Sequence, residues 1–470
     1  MSFISPEFAY AALIFFFVYW LLKSRPLLQK AYLTLSSYGF YATWSIKFTF
    51  ILLAYSLWIW WAGEWIKQPS KITRDQKLKL TITISLSLGL LVITKYYEFI
   101  RGGLDNVLSV LNMHYSLPFL ELLIPAGISF FTFQAITYLV WQANHEPEVF
   151  KPKTRCMDVL LYLAFWPTLF AGPIFRAKDF FTQLNGDQVG KAIDVEKAIY
   201  FILLGLFQKV VIANWLSVNF VDGIYAYPEN QNIVNIISGM WAYTLQIFFD
   251  FSGYSLLVTG LGLLLGYQIP INFKQPYLAI NLQDFWRRWH ISLSTFIRDY
   301  IYFPLGGNKQ GFTKTQINIF IAMVLSGLWH GANTTFLIWG LLHGVGVIIS
   351  NINDRYAYIN LSAMHARILT IVFICMTWVF FRSDSLDTAL SVLHQVTKIE
   401  GTFTKNHLLL ILLSGFFFYF SRRSQLIEEK LIHWAHLNWG WRLFATITGV
   451  VFLIIYSGPS GIPAFIYYKF

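Results

Sequence analysis

The sequence predicts an all-α, polytopic membrane protein, and three observations predict it. Of the 470 residues, 56% are apolar and only 13% charged, where a soluble globular chain carries roughly 25% charged residues. The apolar residues gather in runs near 7–22, 31–45, 47–66, 79–99, 117–142, 157–171, 196–216, 232–267, 316–330, 334–351, 364–381, 406–420 and 441–457. At about 20 residues per crossing these supply roughly ten to thirteen spans. The basic residues fall in short loops: Lys23, Arg25 and Lys30 after the first run, and Lys67, Lys71, Arg74, Lys77 and Lys79 after the third. That pattern marks both loops as cytoplasmic and the N-terminus as external. It accounts for the net charge of +11 without nucleic acid as a partner.

Taken in order, Met1–Leu22 has no basic n-region and no small-residue cleavage site, so it is expected to be the first membrane anchor. The run 157–171 is short and ends at Ala171-Gly172-Pro173. It is expected to be re-entrant, because irregular backbone at membrane depth survives only inside protein or along a water-filled cavity. Gly260, Gly262 and Gly266 echo a dinucleotide fingerprint, but no strand precedes them. Gly262 and Gly266 instead predict a close helix contact.

The segment Asn281–Gly307 is too polar to span and predicts one amphipathic helix, at the membrane surface or dipping into the protein. Asn281 is its expected N-cap and Pro304 its stop. Phe285, Trp289, Leu293, Phe296 and Tyr300 fall on one face, and Arg287, Ser294 and Arg298 on another. Asp284 precedes Arg288 by four residues, a favourable helical pair. With no internal repeat and no long linker, a single transmembrane domain over 1–470 is expected: N-terminal helices in 1–115, a core in 116–350 and C-terminal helices in 351–470. The two cysteines, Cys156 and Cys375, match no disulfide framework or metal spacing.

From Thr315 to Asn353 there is no Asp, Glu, Lys or Arg, yet His330 sits in the middle, within Leu325–Asn333. An ionisable group at membrane depth is costly and points to function, and imidazole is suited to moving a proton near neutrality. The alternative is a satisfied core histidine at a helix break. Ser326, Trp329 and Asn333 flank it. His290 has Trp286 one turn before and Leu293 one turn after; taken alone, such a residue is more often an interfacial or hydrogen-bonded packing histidine than a catalytic one. His343 is a third histidine, in Trp339–Gly344. Asp250 lies in Phe248–Tyr254, where a carboxylate among aromatics needs partners or a raised pKa. It either orients a histidine, accepts backbone N–H groups, or organises a helix break. Arg287, Arg288 and Arg298 suit anionic lipid or a phosphorylated substrate. No nucleophile elbow, zinc motif or P-loop is present, so histidine-assisted transfer is the expected chemistry, with no metal.

Six segments carry a family resemblance: Gly127–Tyr138, Ala171–Phe180, Gly205–Ala213, Asp250–Ser255, Phe285–Gly307 (FWRRWHISLSTFIRDYIYFPLGG) and Ser326–Gly344 (SGLWHGANTTFLIWGLLHG). They resemble the membrane-bound O-acyltransferase family, in particular its bacterial branch exporting acetyl groups to envelope polysaccharides. That branch includes alginate and peptidoglycan O-acetyltransferase membrane subunits, with teichoic acid D-alanyl transferases as distant relatives. The ending Phe465–Phe470 extends the resemblance from about residue 120 to the C-terminus. Earlier residues match in hydropathy and in Ser37–Tyr41. The resemblance implies a ring of tilted transmembrane helices around a central tunnel or funnel. It implies His330 as the catalytic residue and His290 as the second hallmark, facing the same tunnel. Asp250, Ser326, Trp329, Asn333, Trp286, Trp289 and His343 are then the supporting or tunnel-lining residues.

The expected activity is O-acetyl transfer from cytoplasmic acetyl-CoA, across the bacterial inner membrane, to an envelope glycan. The donor is a substrate, with its phosphates near Arg287, Arg288 and Arg298, and no cofactor is expected to be bound. A separate periplasmic partner of SGNH hydrolase-like type would complete the transfer, with 183–195 and 221–232 as docking loops. Leu256 and Trp141 stand where alginate-type members carry Asp, so peptidoglycan is favoured over alginate. Other exopolysaccharide acceptors, and D-alanyl, lipid or protein acyl transfer, are the alternatives within the chemistry. A histidine-gated transporter or channel for the acyl donor is the alternative class, opposed by the lack of paired half-helices in two halves.

Overall fold

The computed structural model describes residues 3, 5–67, 73–113, 117–120, 124–144, 155–185, 194–397, 401–437, 440 and 449. All of the apolar run 441–457 but residue 449, most of the loop 183–195, Lys71 and the Phe465–Phe470 ending lie outside them. The described residues contain helices and turns but no strand, as lipid requires of a chain that must satisfy its backbone within each segment.

In chain order the helices are α1 (Pro6–Leu21), α2 (Pro26–Ala42), α3 (Ile46–Ile66), α4 (Arg74–Val110), α5 (Ile128–Ala143), α6 (Cys156–Ala164), α7 (Ala177–Asn185) and α8 (Val195–Leu206). After a π-helical stretch, Phe207–Ala213, come α9 (Asn214–Leu216), a second π-turn at Ser217–Val221, and α10 (Asp222–Ala226). Then follow α11 (Ile233–Leu264), α12 (Leu282–Arg288), α13 (Ile291–Ile297), α14 (Phe312–His330), α15 (Thr334–Tyr356), α16 (Ala363–Arg382), α17 (Leu386–Gln395), α18 (Lys405–Ser421) and α19 (Ser424–Leu437).

Among the described residues, seven helices are long and apolar enough to cross a membrane. The run count predicts more, because it scores apolar stretches that the backbone cuts short. The run 117–142 is helical only from Ile128. The run 157–171 is helical to Ala164 and continues as buried turns. Nor do Gly262 and Gly266 form one contact surface. Gly262 packs on Ile269, whereas Gly266, at φ +85°, lies open and ends α11 in the left-handed conformation that glycine adopts without strain.

The described chain forms two compact units, one of residues 1–198 with 258–270, the other of 199–257 with 271–470. In the first, aromatic packing dominates: Phe3, Phe8, Phe15 and Phe40 surround Trp166 at centroid distances of 5.7–6.0 Å. Lys30 pairs with the buried Asp158 at 2.7 Å. Tyr19 and Trp20 of α1 donate to the carbonyls of Leu265 and Leu264 at the end of α11. In the second unit, α14 and α15 cross at two glycines. A Cβ on Gly327 would lie 2.9 Å from Gly340 Cα, and one on Gly340 2.8 Å from the Met323 carbonyl oxygen. Small residues of this kind let helix backbones approach closely in lipid, and the crossing sits one turn before His330.

Candidate active site

Every residue described next belongs to the second unit. α12 begins as its sequence predicts: the Asn281 side chain accepts from Asp284 N–H at 2.8 Å, and Arg288 donates to Asp284 at 2.7 Å. The helix then stops, which corrects the expectation of one continuous amphipathic helix. Trp289 is extended (φ −104°, ψ 130°), His290 is left-handed (φ 43°, ψ 53°), and α13 starts at Ile291. The break exists because another segment takes up the backbone groups on either side of it. Lys274 N–H donates to Arg288 O and Ile291 N–H donates to Asn272 O, both at 2.9 Å. For a residue with a Cβ the left-handed conformation costs roughly 1–2 kcal/mol. The aromatic face survives the break: Phe285, Trp289, Leu293 and Phe296 are buried and Tyr300 half-buried.

His290 is fully buried. Its ring meets the edge of Phe251 at 4.7 Å and lies 6.0 Å from Trp329. Burial pushes its pKa down from 6.5 to about 3, so the imidazole is neutral at physiological pH.

His330 is the last residue of α14, and the chain opens at Gly331 before α15 begins. It too is buried. Four rings surround it: Trp329 at 4.9 Å, Phe381 at 5.0 Å, Trp339 at 5.2 Å and Phe336 at 6.4 Å. Trp329 therefore sits against both His330 and His290. Ser326, one turn earlier, is buried as well. Asn333 is occupied elsewhere: it caps α15 through Thr335 N–H at 3.1 Å and donates to the Asp384 carbonyl at 2.9 Å. Both ends of its side-chain amide are thus engaged, the oxygen at the start of α15 and the nitrogen with Asp384.

His343 forms an adjoining cluster. Its Nε2 lies 3.0 Å from Thr377 Oγ1, and Trp286 and Trp339 pack on its ring at 5.2 and 4.7 Å. Trp378, on α16, stacks on Trp339 at 5.7 Å and meets Trp289 at 5.1 Å. The two tryptophans of Phe285–His290 are thereby tied to the cage around His330.

Asp250 does not organise a helix break; it lies in the middle of the continuous α11. Its partner is Lys209, whose ammonium donates to it from the π-helical stretch after α8, and both side chains are buried. The sequence reading singled out Asp250 and passed over Lys209. The signal was present, because Lys209 is the only Lys or Arg between Lys197 and Lys274. Phe381 and Trp378 were also missed; they lie on α16, which nothing local links to His330.

Of the three arginines, Arg288 is engaged with Asp284 and Arg298 with Asp299 at 2.7 Å. Arg287 is exposed. The expected docking loop 221–232 contains α10 and a 3₁₀ turn, with Asp222 3.5 Å from Arg382. Among the described residues, no cluster of three or more His, Cys, Asp or Glu is placed to hold a metal ion.

The chain is similar to known proteins over most of its length. The model of the family described as "MBOAT, membrane-bound O-acyltransferase family" matches residues 31–385. The chain is 36% identical over 385 residues to a Pseudomonas syringae pv. tomato protein named "Probable alginate O-acetylase AlgI", covering 80% of this chain and 71% of the relative. It is 32% identical over 432 residues to the peptidoglycan O-acetyltransferase of Helicobacter pylori, covering 85% and 80%. It is 29% identical over 271 residues to the teichoic acid D-alanyltransferase of Bacillus subtilis, covering 54% and 68%.

Proposed function

The chain belongs to the membrane-bound O-acyltransferase family, and from that premise we propose that it moves acetyl from acetyl-CoA to an envelope glycan, with His330 as general base and His290 as the group that polarises the acyl carbonyl. The observation that carries this reading is the burial of both imidazoles against one indole, Trp329. A neutral histidine in a cage of rings can accept a proton there, and water is excluded from the thioester. His330 takes the proton of the attacking hydroxyl as the new C–O bond forms. The C–S bond then breaks, and the proton passes to the departing thiolate. The exposed Arg287, together with Arg288 and Arg298, would meet the donor's phosphates.

The acceptor we favour is peptidoglycan. Leu256 and Trp141 depart from the alginate-type pattern, and the match to the peptidoglycan O-acetyltransferase is the longer one. Alginate is the second reading, favoured by the higher identity of 36%. The partner would be a periplasmic SGNH-type protein docking at 183–195 or 221–232, and the protein would lie in the bacterial inner membrane. The test is His330→Ala in cells that depend on this chain for O-acetylation. Base-released acetate from purified sacculi should vanish while protein abundance holds. Normal acetate would overturn the role of His330, and acetate found only on secreted polysaccharide would move the acceptor to alginate.

A further inference from the structure

The break at His290 raises a question of capping. His290 occupies the position before α13 where a Ser, Thr, Asp or Asn side chain normally accepts from the first turn of a helix, and its imidazole makes no such bond. The cap comes from elsewhere. Asn272, buried and 20 residues away, accepts through Oδ1 from Ser292 N–H at 3.1 Å and from the Ser292 hydroxyl at 2.6 Å. Its main-chain oxygen accepts from Ile291 N–H at 2.9 Å. Two consecutive N–H groups after the left-handed residue are thus held by one residue outside the helix. Asn272 Nδ2 in turn points to Ser255 Oγ at 3.5 Å.

We propose that Asn272 is a positioning residue for His290: it substitutes for the missing cap, fixes the left-handed backbone, and spares the imidazole from capping its own helix. The assignment rests on the reading of His290 as part of the acyl-transfer site. An imidazole committed to the Ser292 amide would point along the helix axis. With Asn272 there, the ring lies instead against Phe251 and towards Trp329.

The test compares Asn272→Leu, which keeps the volume but loses the acceptor, with Asn272→Asp, which keeps it. Each is made in the full-length protein, with abundance in detergent as a control, and each is repeated with His290→Ala. Ester-linked acetate on the envelope glycan should fall about ten- to a hundredfold in Asn272→Leu, the scale of a misplaced catalytic group. Asn272→Asp should restore it, and Asn272→Leu should add no further loss to His290→Ala. Backbone chemical shifts of His290 in selectively labelled protein should leave the left-handed range in the Leu variant only. Wild-type acetylation in Asn272→Leu beside an inactive His290→Ala would overturn the proposal, as would an Asp variant as poor as Leu. If His290→Ala acetylates normally, the reading of His290 fails by itself. The chemical shifts then decide the clamp alone: moved shifts uphold it and unchanged shifts overturn it.

Discussion

Lys209 donates its ammonium proton to Asp250 deep within the second unit, from a π-helical turn to the middle of α11. Neither charge is tolerable there without the other. Removing one partner strands a buried ion, which costs about 3–5 kcal/mol, whereas replacing both with apolar side chains is often neutral. Lys209→Met and Asp250→Leu should each lower the thermal stability of the purified protein sharply, and the double variant should recover most of the loss. Additive losses would show that the pair does not act as a unit.

Gly327 and Gly340 leave no space for a methyl group between α14 and α15. Gly327→Ala should therefore push the helices apart, with a strain of about 1–3 kcal/mol. The shift falls one turn from His330, so acetylation should drop more than abundance does. Gly415→Ala, where an added Cβ meets nothing within 4 Å, should leave both unchanged.

His290 gives a pH dependence whose sign is fixed. Its folded pKa, about 3, lies below the ordinary 6.5 because burial disfavours the charged form. The unfolded chain therefore binds the proton first. The contribution is complete above pH 6.5 and is lost as pH falls below it, by at most about 1.4 kcal/mol per pH unit for one proton. Melting temperature measured from pH 7.5 downward should fall less steeply in His290→Asn than in the parent. Parallel curves would show that His290 does not titrate in this way.

Of Arg287, Arg288 and Arg298, Arg287 alone is both exposed and, among the described residues, without an ion pair. Arg287→Glu should weaken donor use, seen as a raised acetyl-CoA requirement in membranes, by about tenfold if one charge-assisted contact is lost. Arg298→Gln should do less, since Asp299 already neutralises that guanidinium.

What was legible in the sequence follows from the range of the interaction involved. Lipid imposes apolar runs, so α1, α3, α11 and α16 stand close to their expected limits. The Asn281 cap and the Asp284–Arg288 pair lie within one turn, and spacing alone placed them. The break at His290 was hidden because its cause, Asn272, sits 20 residues from Ser292, and helical periodicity continues straight through Trp289. Asp250 was visible as an anomaly, but its partner lies 41 residues away. The ring cage of His330 likewise draws Phe381 from a helix that no local pattern joins to Trp329-His330.

The π-helical stretch at Phe207–Ala213 has a consequence for how this chain tolerates length changes. A wide turn holds a surplus residue while the ordinary helix on either side keeps its phase. Deleting one residue there, other than Lys209, would relax the turn to an ordinary helix and leave both flanks facing their partners, whereas the same deletion in regular helix would swing everything beyond it by about 100° around the axis. A one-residue deletion that the regular helices cannot absorb should be tolerated at this point.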